Sequence, residues 1–157
     1  MPDFSDFPGY RDAVLFPLEL AFKILAQRAD RWLVEHVGCT RRELWVLLCV
    51  DDSRMSQQQI GDILRIHQNV MVKILDAMET RGLVKRVQNP KDRREKIVET
   101  TNKGRRARTE FRDEREAAMT YIFAPLGIPQ REQLRVWSLA LLEHADAGKV
   151  NLDDTDS

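Results

Sequence analysis

The fold is decided by the run Asn89-Pro90-Lys91-Asp92-Arg93-Arg94-Glu95-Lys96-Ile97-Val98-Glu99-Thr100-Thr101-Asn102-Lys103-Gly104. Asn89-Pro90-Lys91-Asp92 is turn-forming, because proline fixes φ while Asn and Asp hydrogen-bond their own backbone. β-Prone segments lie on either side, at Val84–Gln88 and Lys96–Thr100. The pattern predicts a short hairpin whose tip, Lys91-Asp92-Arg93-Arg94, is basic and solvent-facing.

Helices surround the hairpin. Thr40 with Glu43, and Ser56 with Gln59, each make the capping-box pattern. They predict one helix through Leu44, Trp45, Leu47 and Leu48, and a shorter one through Ile60, Ile63 and Leu64, with a polar break at Asp51-Asp52-Ser53-Arg54 between them. After a tight break at Arg65 to His67 a third helix runs to Thr80. Its core face is Val70 or Met71, Ile74, Leu75 and Met78, and Gly82 takes the C-cap position.

Upstream, a long helix over about residues 17–36 places Leu18, Phe22, Leu25, Ala29, Trp32 and Leu33 at helical spacing. Leu20 and Ile24 widen that stripe, so the helix needs more than one neighbour, which suggests a subunit contact. Downstream, a long helix after Gly104 carries Phe111, Ala118 and Ile122 at core spacing. A break at Leu126-Gly127-Ile128-Pro129 precedes a last helix, about 130–145, that presents Leu134, Trp137, Leu141 and Leu142. The expected fold class is mainly α with a small β-hairpin, and residues 1–9 and 151–157 read as loosely held.

A chain of 157 residues suits one domain, and 43% apolar with 32% charged residues suits a soluble folded one. No apolar run is long enough to span a bilayer, and no basic region precedes an apolar core at the N-terminus, so the expected location is cytoplasmic. Cys39 and Cys49 do not form a secreted disulfide framework. No Ser-His-Asp order, metal-binding helix motif or glycine-rich phosphate loop occurs, so neither an enzyme nor a cofactor is expected. The formal net charge is zero, yet residues 65–108 hold thirteen basic against five acidic side chains, a local surplus of +8. Such asymmetry concentrates positive potential as phosphate binding requires.

Two short capped helices joined by a tight break form a helix-turn-helix pattern, whose second helix can enter a major groove of duplex DNA. The side chains near its start are His67, Gln68, Asn69, Val72 and Lys73. Gln and Asn suit adenine, Lys suits guanine or phosphate, and Val can touch a thymine methyl. Ser56 and Gln57, at the preceding helix start, are placed for phosphate with free backbone N–H groups. The hairpin adds Lys91, Arg93, Arg94 and Lys96, and arginine is drawn to a narrow minor groove. Asp92 reads as a carboxylate that orients a neighbouring guanidinium.

Over residues 60–104 the sequence resembles the MarR family of winged helix-turn-helix transcriptional regulators. The resemblance rests on Ile66-His67-Gln68-Asn69-Val70-Met71-Val72-Lys73-Ile74-Leu75-Asp76, on Glu79-Thr80-Arg81-Gly82-Leu83-Val84-Lys85-Arg86, on the Asp92-x-Arg94 wing, and on Thr101-Asn102-Lys103-Gly104. It implies a single MarR-like domain over 1–157, with a winged lobe at 40–104 and dimerisation helices at 10–38 and 105–147. It also implies a homodimer on a pseudo-palindromic double-stranded DNA operator, with Arg94 in the minor groove braced by Asp92. A repressor released by a small aromatic or phenolic effector fits the same pattern, with Trp32, His36, Arg42 and Trp45 as candidate lining. Two positions depart from the family. Thr100 stands where Leu is usual, which predicts looser packing at the wing's base, and His67 stands where a Ser or Thr cap is common.

Two other readings follow from the residues. Cys39, near a helix start beside Arg41 and Arg42, is a candidate redox thiol, whereas Cys49 sits among apolar residues and is expected to be buried. A winged-helix module that binds protein instead of DNA is the second, and an exposed turn rich in arginine and lysine argues against it.

Overall fold

The computed structural model describes residues 14–50, 54–90 and 95–147. The tip residues Lys91, Asp92, Arg93 and Arg94, the expected break at Asp51-Asp52-Ser53 and both chain ends lie outside the described residues. The elements are α1 (Leu15–His36), α2 (Arg41–Cys49), β1 (Met55–Ser56), α3 (Gln57–Leu64), α4 (Gln68–Thr80), β2 (Val84–Gln88), β3 (Lys96–Thr100), α5 (Asn102–Asp113), α6 (Arg115–Ile122) and α7 (Ile128–Ala147). The fold is therefore mainly helical with a small sheet, as expected.

Both capping boxes form. Thr40 Oγ1 accepts from Glu43 N at 3.3 Å and Glu43 Oε2 accepts from Thr40 N at 2.7 Å. Ser56 and Gln59 repeat the exchange at 3.3 and 2.9 Å. Each reciprocal pair satisfies two N–H groups that a helix start leaves without partners. His67 does cap α4, its Nδ1 accepting from Asn69 N at 3.3 Å, so the imidazole replaces the usual hydroxyl. Gly82 ends α4 at φ +69°, a backbone that side chains with a Cβ disfavour. Arg65 turns α3 into α4 with a left-handed φ of 50°.

The core lies where α2, α3, α4 and the sheet meet. Leu47, Ile60, Met71, Leu75, Met78, Leu83, Val84 and Val98 are fully buried there. Each such side chain contributes about 1.5–3 kcal/mol by leaving water. Met71, Leu75 and Met78 recur at helical spacing and anchor the inner face of α4, which leaves the opposite face to solvent.

Three expectations are corrected. The hairpin is part of a three-stranded antiparallel sheet in the order β1-β3-β2, with Met55 opposite Val98. A two-residue strand has no period to detect, and only pairing with β3 creates it. The helix after Gly104 is two helices, α5 and α6, meeting at Glu114. The break falls in Arg112-Asp113-Glu114-Arg115-Glu116, a fully exposed charged run with no buried side chain to hold one helix in register. Finally, Thr100 does not loosen the wing's base: it is buried, and its hydroxyl donates to Val50 O at 3.3 Å.

The Thr101-x-x-Gly104 pattern has a packing cause. Thr101 Oγ1 accepts from Gly104 N at 3.2 Å, capping α5, and donates to Gly82 O at 2.6 Å. A Cβ on Gly104 would lie 2.3 Å from Leu83 O and 2.9 Å from Leu47 Cδ2. Gly104→Ala is therefore expected to lower stability by about 3 kcal/mol, the upper part of the range for overpacking. Chemical denaturation measures this, and a loss within error of zero would contradict the packing account.

Candidate nucleic-acid interface

α3, the Arg65 turn and α4 build a helix-turn-helix, and β2 and β3 flank it as a wing. On the outer face of α4, His67, Asn69, Val72 and Lys73 are exposed. Gln68 is half-buried, its Oε1 accepting from Gln57 Nε2 at 3.4 Å and its Nε2 donating to Gln58 O at 3.5 Å. Lys96 is exposed on β3. Asn89 N donates to Glu95 O at 3.0 Å and Asn89 Nδ2 to Glu95 Oε2 at 2.6 Å, closing the ladder on the way to the tip.

Ser56 is corrected as a phosphate contact. It is buried in β1 and its hydroxyl oxygen caps α3. Gln57, half-buried, keeps its place at the helix start. The basic surplus is also partly internal. Arg86 donates to Asp76 Oδ1 at 2.6 Å, to Glu79 Oε2 at 3.0 Å and to Val72 O at 3.3 Å, and so clamps β2 onto α4. Lys85 pairs with Glu99 across the wing at 3.0 Å, and Lys103 donates to Arg81 O at 3.0 Å.

Arg81 holds the far end of α4. Its Nη1 lies 2.6 and 2.8 Å from the two oxygens of buried Glu43, and its Nη2 donates to Gly38 O. The carboxylate that caps α2 thus also fixes the C-terminus of α4 against the α1–α2 junction. Sequence reading assigns Glu43 to the cap and Arg81 to the link, and nothing in their local patterns joins the two.

The four candidate effector residues fall into two clusters. Trp32 is buried and stacks on exposed His36 at 4.4 Å between ring centres. Trp45 is 37% exposed and packs on the Arg41 guanidinium at 4.8 Å, with Phe22 on the same cation at 5.5 Å. Arg42 is exposed. The cation between the rings is therefore Arg41, one residue before the expected one, because its backbone N–H is tied to Asp30 Oδ1 at 2.6 Å.

The redox reading of Cys39 is overturned. The thiol is fully buried, and burial, reinforced by nearby Glu43, pushes it up from 9.0 to about 12. Neither Arg41 nor Arg42, its neighbours in sequence, is among the groups that shift it; the distant Arg81 lowers the pKa but does not offset burial. Cys49 is half-buried and its thiol is also pushed up by burial.

Two outcomes follow. Arg81→Ala leaves Glu43 buried without its main partner and should cost about 2 kcal/mol, less than a fully buried pair because Arg81 is partly exposed. Arg81→Lys should recover part of that loss, and equal melting temperatures for wild type and Arg81→Ala would contradict the tie. In a Cys49→Ser background the folded protein should resist a thiol-specific disulfide reagent at pH 8 and react once denatured; prompt native reaction would contradict the burial of Cys39. Since the folded thiol titrates above the unfolded one, its contribution to stability is full below about pH 9 and is lost as pH rises toward 12.

No curated protein matches the chain in sequence. The family model described as MarR family matches residues 37–95, which span the helix-turn-helix and the first strand of the wing, β2. Solved structures share the fold over most of its length. The transcriptional repressor CouR bound to a 23-mer DNA duplex is 28% identical, with a TM-score of 0.72 over 86% of this chain and 96% of that one. A MarR-family regulator from Rhodococcus sp. RHA1 is 23% identical, with a TM-score of 0.71 over 84% and 94%. CouR from Rhodococcus jostii RHA1 bound to p-coumaroyl-CoA is 24% identical, with a TM-score of 0.66 over 83% and 92%. Over residues 37–95 the chain thus matches the MarR family in sequence, and over most of its length it shares the winged helix-turn-helix fold of these transcriptional regulators.

Proposed function

We propose that this protein is a transcriptional regulator of the MarR family, a cytoplasmic homodimer that binds a pseudo-palindromic duplex operator and represses transcription until a small aromatic or phenolic effector releases it. The observation that carries the DNA-binding part is the division of α4 into two faces. Met71, Leu75 and Met78 fix one face in the core, while Asn69, Val72 and Lys73 stand exposed on the other beside a basic wing. Base readout is assigned to His67, Gln68, Asn69, Val72 and Lys73, and phosphate or minor-groove contact to Gln57, Lys91, Arg93, Arg94 and Lys96, with Asp92 bracing Arg94.

The winged lobe is assigned to 40–104, and 10–38 with 105–147 to dimerisation. That assignment is supported by apolar surface too extensive for a free helix pair. Phe22 of α1 is 57% exposed, and Trp137 and Leu141 of α7 are 61% and 65% exposed. An open cleft of about 620 Å³ between α6 and α7, lined by Met119, Phe123, Ile128 and Leu134, offers a seat for a second copy. Repression is supported by similarity to CouR, itself described as a transcriptional repressor. The effector class is supported by the Phe22–Arg41–Trp45 stack, where Arg41 Nε is buried without a hydrogen-bond partner among the described residues. A cation between aromatic walls suits an anion that carries an aromatic ring.

Retardation of duplex DNA in a gel tests the reading. Affinity should fall with salt on a log–log slope of about 0.9 per phosphate contacted, and Arg94→Ala should weaken binding on every operator, most at narrow A·T minor grooves. Failure to retard any duplex at low salt would favour the protein-binding module instead, and unchanged affinity in Arg94→Ala would remove the wing from the interface.

A further inference from the structure

We infer that Gln57, Gly61 and Gln68 act as one specificity unit: Gln68 reads the major-groove edge of an adenine, and Gln57 and Gly61 hold its amide in the reading pose. The inference rests on the DNA-binding reading above and adds to it two residues that set base preference without touching the base.

The amide of Gln68 is held at both ends. Its oxygen accepts from Gln57 Nε2 at 3.4 Å, and its nitrogen donates to the Gln58 carbonyl at 3.5 Å. A primary amide has two N–H donors and an oxygen with two lone pairs, so one donor and one lone pair are left over. Adenine presents N7, an acceptor, and N6–H, a donor, along its major-groove edge, which is the complement of that remainder. The same two bonds fix which end of the amide is which. A flipped Gln68 would set its oxygen against the Gln58 carbonyl, where no hydrogen bond can form.

Gly61 supplies the room. It sits inside α3, where glycine weakens a helix relative to alanine, and it is not among the glycines with positive φ, so its backbone does not require it. The requirement is steric. A Cβ there would lie 2.8 Å from Gln68 Nε2 and 3.0 Å from Ile66 O. The first contact is closer than real Cβ atoms approach, so any side chain at position 61 moves the amide of Gln68 from its place. A glycine within an otherwise helical pattern is a sequence sign of such a close approach.

The test is selection of bound duplexes from a random pool by wild type, Gln68→Ala, Gln57→Ala, Gly61→Ala and the double variant Gly61→Ala/Gln68→Ala, with melting temperatures measured alongside. Wild type should show an adenine preference at one position of each half-site, and Gln68→Ala should lose it by roughly tenfold. Gln57→Ala and Gly61→Ala should lose most of the preference at that same position. The double variant should be no less selective than Gln68→Ala alone, because truncating Gln68 frees the space that the new Cβ needs. Gln57→Ala perturbs no buried packing and keeps the inference open to refutation if Gly61→Ala folds poorly. Uniformly weaker binding with the wild-type preference, in Gln57→Ala and Gly61→Ala, would overturn the unit as a determinant of specificity. An unchanged preference in Gln68→Ala would overturn its role as reader. Selection of no duplex by the wild type would overturn the DNA-binding reading and this inference with it.

Discussion

One carboxylate, that of Glu43, holds together the parts on which the rest of the lobe depends. It is buried, and an isolated charge there would be costly, so its position is set by the groups that compensate it. Thr40 N donates to it at the start of α2, and Arg81 donates to both of its oxygens from the end of α4. Arg81 also reaches Gly38 O at the end of α1 and accepts at its own carbonyl from Lys103 of α5. Four helices are thereby fixed around one charge. With its C-terminus held there, its inner face packed by Met71, Leu75 and Met78, and its flank clamped by Arg86, α4 is a rigid element and not a loosely attached one. Rigid placement is what reading base edges demands of a scaffold.

Much of this was legible in the sequence, and the divide follows the range of the interactions. Caps are local, so Thr40–Glu43, Ser56–Gln59 and the Gly82 terminus could be read from spacing alone. Both wing strands were legible for the same reason, since turn residues bound them on one side and the helix caps on the other. β1 was not, because Met55 and Ser56 become a strand only through Val98 and Ile97, more than forty residues away. The α5–α6 break was hidden by a charged run that is compatible with a helix until the absence of buried partners is known.

For the site, residue types were legible and their roles were not. Ser56 has the chemistry for phosphate but is used in a cap, and Arg86 has the charge for it but clamps α4. Cys39 lies beside arginines in sequence and is instead governed by burial. Arg41 and Arg42 are adjacent, and only the bond to Asp30 decides that Arg41 stands between Phe22 and Trp45. The zero net charge conceals a division of labour: some cations of the basic segment bind the chain to itself, and exposed ones such as Lys73 and Lys96 are left on the α4 and wing surface.

The central claim is that two such rigid lobes present their α4 helices to successive turns of duplex DNA. The most direct measurement is a pulsed electron–electron distance between spin labels placed on Lys73→Cys in the Cys49→Ser background, with operator bound. The account predicts one narrow distance near 35 Å, the repeat of the major groove along one face of the duplex. A broad distribution, or no distance between copies at all, would contradict it.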